Sequence, residues 1–384
     1  MKEHLQWDAP MSAYQAQADA LLAGWRAGDE EAVRFVWQKH PRFRRPDVLW
    51  LPKQIAKEDI LKEPMTMDDA RLALAYWYDF RDWDALSEWV GATTDKKSDV
   101  SRFEAAVEAV INGDAPALEQ LLRAHPDLVR ARSTRVTWWK PPQRHSATLL
   151  HYVGANGIEG YREKTPANAV EIATMLLKAG AAADALADMY EGKYPTLTML
   201  VSSGFPAKAG LQIPLAETLL DFGADVEGKG EGVWKSPLMT ALAFGYSKTA
   251  EALVRRGARV DTVAAAAGLG RIDDVRGLLP GSSAEDRHRA VALSAQHGRE
   301  DIMLLLLDAG EDPSRYNPPM NHSHSTPLHQ AVISGRDSLV RLLVARGARL
   351  DIRDTIYNGT PLGWAEYCNQ PQIAAWLRTQ GAPE

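Results

Sequence analysis

The stretch 326–353, TPLHQAVISGRDSLVRLLVARGARLDIR, leaves the chain few ways to fold. Thr326 and Pro327 supply an N-cap and a first-turn proline, whose missing N–H no helix would have used. Leu328, Ala331 and Val332 then recur at the spacing of one buried helical face, and Gly335 ends the helix just past its C-cap. A second helix starts at once. Ser338, Leu339, Leu342 and Leu343 carry its inner side, and Gly347 stops it before a short extended segment at 348–351. A helix pair this short cannot bury its own apolar face, so it demands neighbours of the same kind stacked against it.

The pattern resembles the ankyrin repeat. The family's T-P-L-H opening stands at Thr326-Pro327-Leu328-His329, its turn glycine at Gly335, and its L-L…G-A ending at Leu342-Leu343 and Gly347-Ala348. The resemblance implies an all-α ankyrin-repeat solenoid of stacked helix-turn-helix units with short β-hairpin fingers. Gly-Ala or Gly-Glu endings recur at Gly180, Gly223, Gly257, Gly310, Gly347 and Gly381, spaced by 43, 34, 53, 37 and 34 residues, against a family period of about 33. The 53-residue interval leaves room for one degenerate unit at 264–279. The 43-residue interval holds extra chain in the finger after Gly180 and in the inter-helix stretch 205–215, and a further insertion lies at 158–166. Chain inserted at a turn leaves stacking intact.

About eight units, some degenerate, are expected over 99–384, the last with the polar Glu366, Gln370, Gln372 and Arg378 of a cap. Residues 1–98 are expected to form a separate Trp-rich helical extension that caps the stack, and the resemblance is to a bacterial-type member of the family with such a divergent N-terminus. Seven of the twelve tryptophans lie in the first ninety residues. Two helices are read over 12–45, punctuated by Gly28-Asp29 and His40-Pro41, and the phrase returns as Gly113-Asp114 and His125-Pro126. Another pair is read at 68–80 and 83–90, with a long connection at 41–64 and a polar linker at 91–98.

A single cysteine, Cys368, excludes an internal disulfide framework and suits a reducing compartment. The opening MKEHLQWDAP lacks the apolar stretch of a secretory signal, and the longest strongly apolar run, 302–307, is far too short to span a bilayer. A cytoplasmic protein without membrane contact is therefore the expectation. A formal charge of −6 disfavours nucleic acid, because phosphate binding needs a positive excess. The segment 223–230 imitates a phosphate loop but places Gly230 where a magnesium-binding hydroxyl is required, and Gly268-Leu269-Gly270 lacks a third glycine. No G-x-S-x-G, H-E-x-x-H or cysteine pair occurs. No cofactor and no metal is expected, and an enzyme is the less favoured class.

What the resemblance implies is a concave groove, lined by the first helix of each unit and the fingers, that holds a protein or peptide partner. Carried onto this sequence, the binding set is Tyr152, Tyr190, Trp234, Phe244, Tyr316, His322, His324, Gln330, Tyr357, Trp364 and Tyr367. Broad aromatic faces suit hot spots because they give contact area at low entropy cost. The rival reading is an enzyme or small-molecule binder with a polar pocket around His322, His324 and Asp354. Histidines two apart on an extended segment point the same way, and Asp354 of the next finger would supply a third acid, base or metal ligand. Glu159, in the polar insertion 157–165 beside His151, is a further acid–base candidate on a lid. His151 and His329 stand where the family uses the imidazole to tie a turn. The loop 130–145, with Arg130, Arg132, Arg135, Trp138, Trp139, Lys140 and Arg144, interleaves cations and rings as an acidic-peptide or single-strand surface does; the negative overall charge favours the peptide.

Overall fold

The structure is a computed structural model that describes residues 3–138 and 144–383; Trp139 and Lys140 of the basic loop lie outside the described residues. The chain forms two compact units. The first runs to Asp225 and takes back Lys229–Gly232; the second comprises Val226–Gly228 and the chain from Val233 onward.

In the first unit, helices Met11–Arg26, Glu30–Lys39, Met67–Trp77 and Trp83–Thr94 close around Tyr14, Ala18, Leu21, Leu74, Phe80 and Trp89. The repeated phrase of the sequence folds the same way twice. Asp29 accepts the Ala32 N–H and Asp114 the Ala117 N–H, each starting an outer helix. Gly28 and Gly113 precede them at φ 69° and 72°, and each outer helix leads to a 3-10 turn that begins at Pro41 or Pro126.

Two connections differ from the sequence reading. The helix expected to end at 90 continues to Thr94, because Thr94 Oγ1 donates back to the Val90 carbonyl at 2.9 Å and Thr93 is buried. The long connection 41–64 contains a short helix, Lys57–Lys62, pinned by buried Ile60.

Three helix pairs follow in this unit: Asp99–Asn112 with Ala115–Ala124, Leu149–Gly154 with Ala169–Lys178, and Thr196–Leu200 with Gln212–Asp221. Between the last two stands a β-hairpin, Leu186–Met189 against Gly192–Pro195, antiparallel in the register Leu186 to Pro195. The second unit stacks five more pairs, which begin with helices Pro237–Ala243, Val263–Leu269, Ala284–His297, Pro327–Ile333 and Pro361–Tyr367. Its core runs through Ala267, Val291, Leu306, Leu328, Leu343, Leu362 and Leu377. The degenerate unit is the second of these. Ala264 to Ala267 are all buried there, and Gly268 lies so near Leu242 that a Cβ would sit 3.0 Å from it.

The same joint recurs in both units. The Thr148 N–H donates to His151 Nδ1 at 3.1 Å while His151 Nε2 meets the Tyr194 carbonyl at 3.2 Å. The Thr326 N–H donates to His329 Nδ1 at 3.3 Å while His329 Nε2 meets the Gly359 carbonyl at 3.2 Å. Each imidazole thus ties a helix start to the chain of the following repeat. Burial pushes both rings down to about 4, so they stay neutral at ordinary pH.

A second joint is built on glycine. Gly270, Gly298 and Gly335 end inner helices at φ 81°, 68° and 64°, and over them lie the side chains of Arg299, Arg336 and Gln370 from the next repeat. A Cβ on Gly298 would come 2.9 Å from Arg336 Nε. Gly298→Ala is expected to cost about 1–2 kcal/mol from the left-handed backbone, read as a lower urea midpoint. An unchanged midpoint would show that this turn does not depend on glycine.

Candidate binding surface on the second unit

Two fingers build the surface. In the one at 348–360, the Asp354 carboxylate accepts the backbone N–H groups of Ile356 (3.0 Å), Tyr357 (2.6 Å) and Gly359 (2.8 Å) and the indole N–H of Trp364 (2.9 Å). Burial alone would raise this carboxyl; the four donors more than offset that and hold it below its usual range. The finger tip that carries Tyr357 is therefore fixed from beneath. The preceding finger closes on itself through the Asn317 N–H and the Ser325 carbonyl at 2.8 Å. It is stitched to the next where Tyr316 Oη donates to the Arg353 carbonyl at 2.6 Å and the Thr355 N–H donates to the His324 carbonyl at 2.9 Å.

These bonds bring most of the expected residues of this unit together. The His324 ring lies 5.8 Å from Trp364, 6.1 Å from Tyr357 and 6.2 Å from His322. Gln296 donates to the Ala243 carbonyl at 2.9 Å and meets His322 Nε2 at 3.4 Å, which carries the strip on to Phe244, itself 5.3 Å from Trp234. Exposure then sorts the set. Tyr367 (92% exposed), Tyr357 (59%) and Phe244 (43%) present their rings to solvent. Trp364 is half-buried, held by Asp354 and lying 4.9 Å from His329. Gln330 does not face a groove at all: it is buried, and its amide donates to Ser325 Oγ at 2.9 Å.

Other expectations need correction. Tyr152, in the first unit, is fully buried with its hydroxyl 3.4 Å from Glu159, because its short helix is covered on every side. Tyr190, at the tip of the hairpin, is exposed and donates to Asn156 Oδ1 at 2.5 Å. Glu159 sits on no lid. It is wholly buried, 3.2 Å from the Arg135 guanidinium and 2.9 Å from His145 Nε2. Burial would push this carboxyl up, yet Arg135 and His145 hold it far below the usual range. Arg135, expected on a basic surface, is buried in turn against Phe80 (4.2 Å) and Trp89 (4.5 Å). Asp354, with its oxygens occupied by four N–H donors, is a turn-forming residue and not a free acid, base or ligand. Among the described residues no cluster of three His, Cys, Asp or Glu side chains is placed to hold a metal ion.

Two cavities in the first unit, of about 310 and 560 Å³, include Trp50 and Trp138 in their walls. The sequence signals for them were separate, Trp50 in the N-terminal tryptophan count and Trp138 among the rings of the 130–145 loop.

The family model described as ankyrin repeats (3 copies) matches residues 262–354 and 291–383, the span of these fingers. Cyclin-dependent kinase inhibitor 2A of Homo sapiens is 30% identical over 123 residues, covering 31% of this chain and 76% of that protein. The chain belongs to the ankyrin-repeat family. A second relative, Ankyrin repeat and SAM domain-containing protein 6 of Mus musculus, is 30% identical over 111 residues, which cover 29% of this chain but only 12% of that protein. The chain thus spans about an eighth of the length of the first curated relatives it matches. The crystal structure of the human ASB11 ankyrin repeat domain aligns with a TM-score of 0.37 at 19% identity, over 73% of this chain and 98% of that one. Ankyrin repeats generally mediate protein–protein interaction. No helix among the described residues is long and apolar enough to cross a membrane.

Proposed function

We propose that the protein works in the cytoplasm by binding a protein or peptide partner along the finger face of its second unit. The observation that carries this reading is Tyr357: the residue is 59% exposed, on a tip where the N–H groups of Ile356, Tyr357 and Gly359 are all drawn onto the Asp354 carboxylate. A large ring held in one place loses little entropy when a partner covers it, which is the condition for a hot spot. Tyr367 and Phe244 extend the exposed aromatic surface, and the lone, half-buried Cys368 is compatible with a reducing compartment. The rival polar pocket is the weaker reading: His324 Nδ1 does lie 3.6 Å from Asp354 Oδ1, but the Asp354 oxygens already accept four N–H donors that build the turn.

The test uses the immobilised full chain to capture a partner from its source lysate, followed by affinity measurement on the identified partner. Tyr357→Ala is expected to weaken binding by about 2 kcal/mol, and Tyr367→Ala by a similar or smaller amount. Both rings are exposed, so neither change threatens the fold, whereas Trp364→Ala would also break the Asp354 turn. Equal affinity of wild type and the double variant would remove this face as the partner site.

A further inference from the structure

We propose that the first unit holds a separate site for a small planar anion, an aromatic ring bearing a carboxylate or phosphate, in the cavity between Trp50 and Trp138. The cavity has a volume of about 560 Å³ and adjoins the one of about 310 Å³, with Trp50 and Trp138 lining both. Each lies within the range of small-ligand pockets. The smaller compartment is mainly apolar, with Leu49 and Met189 in its wall beside His145, Asp188 and Glu191, and the cations Lys39 and Arg44 line the larger one, where an anionic group would sit.

Two features fix the ligand class. The first is the shape of the walls. Tyr76 and Trp138 stack at 5.5 Å with their planes 17° apart, and the Arg44 guanidinium lies 4.4 Å from the Trp138 ring, so one wall is a set of flat, near-parallel faces. Trp50 is 67% exposed, a large ring left open to a planar guest. Aromatic guests prefer offset or edge contacts with such rings.

The second feature is an excess of donors. Lys39, Arg44 and Asp79 line the larger compartment. Both Asp79 oxygens are occupied: Oδ1 accepts the Trp138 indole N–H at 2.9 Å and Oδ2 the Gly160 N–H at 2.8 Å. The Lys39 ammonium is half-buried and makes no hydrogen bond among the described residues. Arg44 gives one N–H to the Leu49 carbonyl at 3.2 Å, while its Nε is buried with no partner there. Two cations with unused donors therefore share one carboxylate, each of whose oxygens already accepts a hydrogen bond from elsewhere. Burial lowers Lys39, partly offset by the nearby Asp79, and burial raises Asp79 against its two hydrogen bonds, so charge in this compartment carries a desolvation cost. An anion seated beside Lys39 and Arg44 in the larger compartment supplies an acceptor for both.

The probes are 1-naphthoate and 1-naphthyl phosphate, titrated into the full chain by calorimetry, with neutral 1-naphthylmethanol and cationic 1-naphthylmethylammonium as controls. Saturable 1:1 binding of at least one anion is expected, weakened roughly tenfold or more by loss of the charge in the neutral control or by Lys39→Met, the effect of one charge-assisted hydrogen bond. Which of the two anions binds tighter assigns the head group. Trp50→Ala, at a largely exposed ring that the fold does not need, is expected to weaken both anions at least fivefold, in line with loss of one aromatic contact (roughly 1 kcal/mol). Absence of saturable binding up to about 1 mM, tighter binding of the ammonium control, or affinity that both variants leave unchanged would each overturn the site.

Discussion

Arg162→Met is expected to destabilise the protein by about 3–5 kcal/mol, the penalty for orphaning one member of a buried ion pair. The Arg162 and Glu104 side chains are each 1% exposed and bonded to one another. Glu104 has one further donor, the Trp89 indole N–H at 3.0 Å. Methionine approximates the length of the arginine stem, so little packing is lost; what remains is a carboxylate out of water with a single neutral donor. The measurement is the urea midpoint of Arg162→Met beside that of Arg162→Met with Glu104→Gln. The second change should restore part of the loss, since it removes the stranded charge. A shift below about 0.5 kcal/mol in the single variant, the level of an exposed pair, would mean that the pair contributes nothing through its burial.

Acidification should weaken the fold through its histidines. His151 and His329 are lowered from 6.5 to about 4 by burial. The folded state keeps them neutral while the unfolded chain takes up protons below pH 6.5, so their contribution is fully present above that pH and is lost as pH falls toward 4. Each shift corresponds to about 3 kcal/mol. Glu163 acts in the opposite direction. Burial raises its carboxyl to about 8, so its unfavourable ionisation is relieved as pH falls from 8 toward its ordinary range. Unfolding midpoints measured across this interval should therefore decline for wild type on the acid side and decline less for His151→Gln with His329→Gln. Parallel curves for the two proteins would contradict the assignment of the acid loss to these rings.

The ankyrin stack was legible because its signals are local. Thr326, Pro327, His329 and Gly335 each act on backbone within a few residues or one repeat, and each does in the structure what its residue type permits. The degenerate unit could be located because the glycine endings on either side of it stand 53 residues apart, room for one more helix pair than the endings mark. Glu159 and Asp354 were not legible. Both read as polar residues beside a histidine, and what separates a turn-former or a buried ion-pair member from a free acid comes from elsewhere in the chain. Arg135 reaches Glu159 from 24 residues earlier, and Trp364 reaches Asp354 from ten residues later. Tyr152 and Gln330 failed because a position in the repeat predicts a direction, while burial depends on what the neighbouring repeat places opposite. The tryptophans gave a count without a geometry. Nothing in that count says that Trp138 joins Tyr76 in a stacked wall while Trp50 stands open.

The side chains that lie over the turn glycines carry a consequence for how long such an array can grow. Arg299 sits over Gly270 and Arg336 over Gly298, one guanidinium per repeat along the same edge, and Arg299's hold on its proton is lowered first by burial and further by the charge of Arg336. Every additional repeat with this Gly-Arg pair would add another cation in line, and self-repulsion would accumulate with array length while the packing gained per repeat stayed constant. Over Gly335 the corresponding residue is Gln370, an amide of similar reach and no charge. The row thus keeps its steric lock at the final turn while its charge stops one repeat earlier, so fusing extra copies of the 326–353 unit at that point would lengthen the lock and renew the repulsion together.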